Sequence, residues 1–157
     1  MKSQVKHIVL LALAVLLPIF IIVGCSPSSS LKLSELDDDS IMDWAHLTTE
    51  YRQYELDTLD ATDIRLRISN SSEDLFSFGE EFRIEKKEGD EWFVVPFKPN
   101  TAFILRGRIV EPGSTTETVL DMQLLENTLT RGEYRVVIPA AKGIGGTFNM
   151  VAPFIIV

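Results

Sequence analysis

Cys25 is the only cysteine of this chain, and His46 is the only histidine beyond its first 25 residues, so few groups are available for nucleophilic, redox or metal chemistry. A Ser-His-Asp arrangement, in which an imidazole takes the serine proton and a carboxylate holds its tautomer, could be built only through His46. One thiol allows neither a thiolate zinc site nor a redox pair. Asp37-Asp38-Asp39 sets three carboxylates side by side but lacks the turn glycine and later bidentate Glu of a calcium loop. Lys142-Gly143-Ile144-Gly145-Gly146-Thr147 has the glycines of a phosphate loop without its Gly-Lys-Ser/Thr ending, and falls between two strand-like segments where no helix N-terminus could hold phosphate. His46 and the three aspartates therefore read as solvated residues and the glycine run as a hairpin loop. The chain is expected to be no enzyme and to carry no metal or cofactor.

The remaining reactive group is Cys25 itself. Lys2 and Lys6 make a positive start, Ile8 to Val23 are an apolar stretch containing Pro18, and Ile22-Val23-Gly24-Cys25 follows in the order apolar, apolar, small, cysteine. About 20 apolar residues are needed to span a bilayer, so this stretch is too short for an anchor helix. The pattern resembles the bacterial lipoprotein class, in which the cysteine thiol receives diacylglycerol and the bond after Gly24 is cut. That resemblance implies a signal peptide over residues 1–24, a mature chain starting at Cys25, and a location on the outer face of the cell membrane, anchored by lipid. It also implies a bacterial host, so Asn70-Ser71-Ser72, which fits a glycosylation sequon, reads as turn chemistry.

Removing the signal takes away two lysines and no acid, leaving 13 basic and 23 acidic residues, a net charge of −10. Such a charge opposes nucleic acid and anionic headgroups. With no disulfide available, core packing alone must hold the fold, and roughly 133 residues suit one core.

The stretch 25–47 begins Ser26-Pro27-Ser28-Ser29-Ser30 and stays polar to Asp39, so it reads as a tether, about 15 residues with a mean reach near 20 Å. Ser40-Ile41-Met42-Asp43 has the form of a capping box, and Trp44 and Leu47 continue a helical spacing, so a short helix is expected there. From residue 48 to 157 the chain alternates short β-rich segments with turns. Ile64, Leu66 and Ile68 alternate with Arg65 and Arg67; Phe82 to Lys86 alternates likewise, and Lys87 to Glu91 turns on Gly89 into Trp92 to Val95. Trp92 to Val95 is apolar on both faces, which marks a strand that is central or covered or, less often, one that presents an exposed binding patch. Ala102 to Val110, Thr115 to Met122, Glu133 to Ile138 and Phe148 to Val157 complete the set. Seven or eight strands at this spacing predict an all-β antiparallel sandwich.

Tyr134 follows the tight turn Thr130-Arg131-Gly132 at the start of the penultimate strand, where a tyrosine corner sits in immunoglobulin-like and fibronectin-like sandwiches. Leu66-Arg67-Ile68-Ser69-Asn70-Ser71-Ser72, the stretch Phe78 to Lys86, Gly89-Asp90-Glu91-Trp92, and the Gly-x-Tyr-Arg core of Leu129 to Val136 resemble the bacterial immunoglobulin-like domain found in many lipoproteins of Gram-positive bacteria. The resemblance implies an immunoglobulin-like fold at the cell surface and supplies no catalytic residues.

On these grounds the expected function is a lipid-anchored binding or adaptor module of the cell envelope with a protein partner. The alternative, carried by fold analogy alone, is an inhibitor of extracytoplasmic proteases. If the first three strands run antiparallel, Asp57, Asp60 and Asp63 gather with Glu88, Asp90 and Glu91 at the pole facing away from the membrane. The plain reading of such a cluster is a solvated charged tip; the sharper one is that it steers a basic partner.

Overall fold

The computed structural model describes residues 31–59, 64–143 and 146–157, and within them the alternating segments pair into two facing sheets. The strands are β1 (Lys32–Leu33), β2 (Ala45–Thr49), β3 (Gln53–Tyr54), β4 (Ile64–Asn70), β5 (Phe76–Phe78), β6 (Arg83–Glu88), β7 (Glu91–Val94), β8 (Arg108–Val110), β9 (Thr115–Leu120), β10 (Gly132–Lys142) and β11 (Gly146–Ile156), with one helical turn, α1 (Leu56–Leu59). The larger sheet runs β1-β7-β6-β10-β11-β3, and the smaller β2-β4-β9. After a break, β5 continues the row of β6 beside β10, and β8 continues the row of β7 beside β5. Leaving aside the two-residue pieces β1 and β3, four rows face three, which is the seven-row sandwich the alternation predicts. Pairing between these strands is antiparallel except where β3 lies parallel to the end of β11.

Period-two patterning decides the faces. Ile64, Leu66 and Ile68 of β4 are buried, and the arginines between them are exposed. Opposite them stand Tyr134, Val136, Ile138 and Ala140 of β10 with Phe148, Met150, Ala152, Phe154 and Ile156 of β11. Each of the larger side chains among them contributes about 1.5–3 kcal/mol by leaving water, and each alanine less. Gly89, at φ 64°, supplies the left-handed residue that the β6–β7 hairpin requires.

The tyrosine corner is present. The Tyr134 hydroxyl donates to the Thr130 carbonyl oxygen at 2.8 Å and accepts from the Thr130 amide at 3.1 Å. Its ring, buried, stacks on Phe154 at 5.4 Å.

Three expectations need correction. The helix expected from Ser40 is absent: Ala45–Thr49 is instead strand β2, paired residue by residue with β4. Five residues paired to a neighbouring strand satisfy more backbone than one isolated helical turn, whose nucleation is costly. The strand expected over Ala102 to Val110 is reduced to Arg108–Val110, because Phe103 turns inward against Phe82 and Phe97 at centroid distances of 5.6 and 5.3 Å, which breaks the alternation.

The third concerns the stretch expected as tether up to residue 47. Its part from residue 31 is docked: Lys32 and Leu33 pair with Val94 and Phe93, and Ser34 N–H reaches the Trp92 carbonyl at 2.8 Å. Asp37 then caps a single 3-10 turn (Asp38–Ser40) by accepting from the Asp39 amide at 3.1 Å. At the far side Ile41 bridges to Asn149, whose amide donates to Ser40 Oγ at 2.9 Å. Residues 34–41 thus leave the β7 edge and arrive at β11, crossing the outer face of the larger sheet as a strap. Val137, fully buried yet on the outer side of β10, lies in the ground they cross. A polar composition bars a core of its own but not backbone docking on a ready-made sheet.

Tyr134→Phe removes the hydroxyl that satisfies two backbone groups and should cost about 1–2 kcal/mol. A thermal melt should show Tm lower by roughly 3–6 °C; an unchanged melt would count against a supporting role for the corner.

Candidate functional site

Register places the acidic residues. Glu88 pairs with Glu91 across the hairpin turn, Lys86 lies opposite Tyr134, Tyr134 opposite Phe154, and Ile156 opposite Tyr54. Leu56 N–H reaches the Val157 carbonyl at 3.0 Å, so α1 with Asp57 sits at the same end of the sandwich as the hairpin. Asp60, Asp63 and Cys25 lie outside the described residues. The two groups that are described do not merge: three strand spacings separate the row of β6 from that of β3, about 14 Å, against a Debye length of about 8 Å at physiological salt.

Within the hairpin the charges are not all free. Lys86 Nζ lies 3.8 Å from Glu88, and Lys87 Nζ lies 3.5 Å from Glu133. Asp90 and Glu91 have no ion-pair partner among the described residues, so they carry the uncompensated charge of the hairpin.

His46 is exposed on β2, with Nε2 3.4 Å from Ser71 Oγ, at the outer limit of a hydrogen bond. The Ser71 hydroxyl has a shorter partner in the Trp44 carbonyl at 3.1 Å, and no carboxylate bonds to His46 among the described residues. The pair therefore lacks the oriented base that a nucleophilic serine needs. Asn70 is turn chemistry, as the sequence suggests. Its buried amide donates to the Asp74 and Val110 carbonyls at 2.8 and 3.0 Å and accepts from Ser72 N–H at 2.9 Å, tying the β4–β5 loop to the end of β8. Lys142, at the β10–β11 turn, is held by Asp74 at 3.0 Å and by the face of Trp44 at 4.7 Å. No group of three or more His, Cys, Asp or Glu among the described residues is placed to hold a metal.

Sequence reasoning missed Glu85. Alternation assigns it to water, and it does point to the outer face of β6, yet it is fully buried. Arg83 Nε donates to Oε1 at 2.8 Å, Arg135 Nε to Oε2 at 2.6 Å, and Ser34 Oγ to Oε1 at 2.7 Å. Arg135 in turn lies over the Trp92 ring at 4.4 Å. Burial alone would raise the carboxyl's pKa. The hydrogen bonds from Ser34, Arg83 and Arg135, joined by the Arg135 charge, outweigh it and hold the group below the usual Glu value. The signal available in the sequence was Val136-Val137-Ile138: three consecutive apolar residues in an alternating strand mean that its outer face is covered as well.

Two facing sheets, a tyrosine corner and seven rows of strand define an immunoglobulin-like sandwich. The family model of the bacterial Ig-like domain matches residues 44–149, and the chain belongs to that family. The strap precedes the matched region. No curated protein matches the chain. Among solved structures it is similar to the archaellum periplasmic stator protein FlaG from Sulfolobus acidocaldarius, at 13% identity, over 68% of this chain and 98% of that one, with a TM-score of 0.36. A likeness of that degree says nothing about function.

Because Glu85 has a lower pKa folded than unfolded, its contribution to stability is complete above about pH 4.5, the unfolded value, and is lost as pH falls through the folded value. Glu85→Gln should flatten this acid limb of the stability–pH curve measured by urea titration; a limb unchanged by the substitution would show that other carboxylates carry it. Glu85→Ala leaves two guanidinium groups facing a void and should cost about 2–3 kcal/mol near neutral pH.

Proposed function

We propose that this protein is a lipid-anchored, non-catalytic binding or adaptor module on the extracytoplasmic face of a bacterial cell membrane, held by diacylglycerol on Cys25. The observation that supports this best is the course of the chain into the Ig-like sandwich. Among the described residues pairing begins at Lys32, seven residues past Cys25, and β1 runs antiparallel to β7, so the chain arrives at the Val94 end of β7 while the Glu88–Glu91 turn lies at the other. A bilayer on the entry side leaves the acidic hairpin facing away from it. Entry through β1 rather than β2 replaces the route on which the sequence argument rested, with the same outcome for the hairpin.

A partner drawn to Asp90 and Glu91 is basic. Protease inhibition is less well supported, since an inhibitory loop offers an extended backbone to a cleft. Here the loop with exposed Ile104 and Leu105 is folded into a tight turn closed by Arg106 N–H on the Ile104 carbonyl at 2.9 Å.

Cys25→Ser should abolish labelling by a fatty-acid analogue and move the protein out of the membrane fraction; labelling and retention that persist would end the anchored reading. Separately, Asp90→Lys with Glu91→Lys should leave the melting curve within about 0.5 kcal/mol. The pair should slow association with a basic partner by about tenfold at low salt, an effect that fades as salt rises. Association indifferent to both changes would place recognition elsewhere.

A further inference from the structure

Leu105 is fully exposed and Ile104 more than half exposed, on the part of an expected strand that failed to form, and Ile109 on the adjoining β8 is also more than half exposed. The exposure is built rather than incidental. Phe103 is anchored inward on Phe82 and Phe97, and the turn closed by Arg106 N–H on the Ile104 carbonyl holds Leu105 at its tip. Folding gains nothing from Leu105 in water, and with Ile104 beside it the turn offers an apolar tip to whatever it meets.

We infer that the Ile104–Leu105 turn is a second membrane contact, inserting into the phospholipid surface to which the chain is anchored. The inference rests on the Cys25 anchor. Three features of the structure select a bilayer as occupant. The first is direction: going upstream from Lys32, the chain heads along β1 the way β7 heads downstream, which is toward β8. The second is reach. Lys32 is level with Arg135 through Val94 and Glu85, and Arg108 is level with Ala140 through Phe78, so five residues of β10, about 17 Å, separate their heights. Cys25 is seven residues before Lys32, a span of at most about 25 Å. The loop is therefore within the radius that the anchor allows.

The third feature is charge. Arg106 and Arg108 border the turn, and Glu80 and Glu81 line the concavity beside it, so the patch is close to neutral on a mature chain of net charge −10. Elsewhere the acidic surface resists approach to headgroups; here it does not. A single exposed leucine would not recruit a free protein, but an anchored one meets the surface at high effective concentration, and a weak apolar contact then suffices to orient it.

Acylation of Cys25 leaves Leu105→Cys as the only free thiol, so the full anchored chain can carry one nitrobenzoxadiazole label there and, in a second variant, at Glu91→Cys. After reconstitution into phosphatidylcholine vesicles containing nitroxide-labelled acyl chains, quenching at 105 should exceed that at 91 severalfold, and Ile104→Asp should remove the difference. Added phosphatidylglycerol should change it little. Protein that floats with vesicles but shows equal quenching at 105 and 91 overturns the contact alone. A label at 105 that is shielded in detergent as well as in vesicles points to a second copy or a protein partner and overturns it too. A parent chain that takes up label at Cys25 and fails to float overturns the anchor, and the contact with it.

Discussion

A carboxylate without solvent access has to be answered by its surroundings, and much of this structure is organised by the answer to Glu85. On the exposed face of a sheet that residue would cost nothing. Beneath the strap it requires donors at both oxygens, and Ser34, Arg83 and Arg135 supply them. Each donor belongs to a different strand or to the strap, so satisfying one charge fixes the relative positions of β6, β10 and the N-terminal segment. Arg135, on the outer face of β10, is itself largely shielded from water and lies under the Trp92 ring of β7. Replacing such a group by an apolar one often stabilises a protein. Here it ties the strap to both β6 and β10.

Beneath that face the sandwich depends on the long β10–β11 ribbon, eleven consecutive pairs from Gly132–Ile156 to Lys142–Gly146. Its inner side meets the small sheet, and at the Lys142 end Trp44, Phe76 and Phe148 close the core with ring centroids 4.8–5.8 Å apart. At the hairpin end Tyr134, Phe154 and Tyr54 do the same. The ribbon fixes the positions of the acidic hairpin beside its Gly132 end and of the β5–β8 edge, next to the Ile104–Leu105 turn, beside its Lys142 end.

What could be read from the sequence was what local periodicity encodes. Ile64-Arg65-Leu66-Arg67-Ile68, the Gly89 turn and the Thr130-to-Tyr134 corner each carry their own geometry within five residues, and each formed where expected. Trp44 and Leu47 misled because an i, i+3 pair is also what two residues on a bent strand entrance can show, and only pairing with β4 decides between them. The burial of Glu85 was not legible, since it depends on residues 34–41 arriving from 50 positions away and their composition announces solvent. In the segment before Arg108, Phe103-Ile104-Leu105 has the hydrophobicity of a strand without its alternation of faces, and the turn at Leu105 follows from where Phe103 can be buried. The acidic hairpin was legible as a cluster, but the count of free charges was not, because Lys86 and Lys87 each engage an acid beside them.

The strap has a mechanical meaning. Any tension arriving through the residues before Leu31 is received first by two backbone pairs at the sheet edge and by the Ser34–Glu85 bond, not by the core. Two pairs yield long before the eleven that join β10 to β11. Under load the strap would peel and lengthen the leash by roughly ten residues, about 30 Å of extended chain, while the sandwich stayed folded. The same peeling would uncover Glu85 and Val137, so that strain on the leash would be reported as newly wetted surface on the outer sheet.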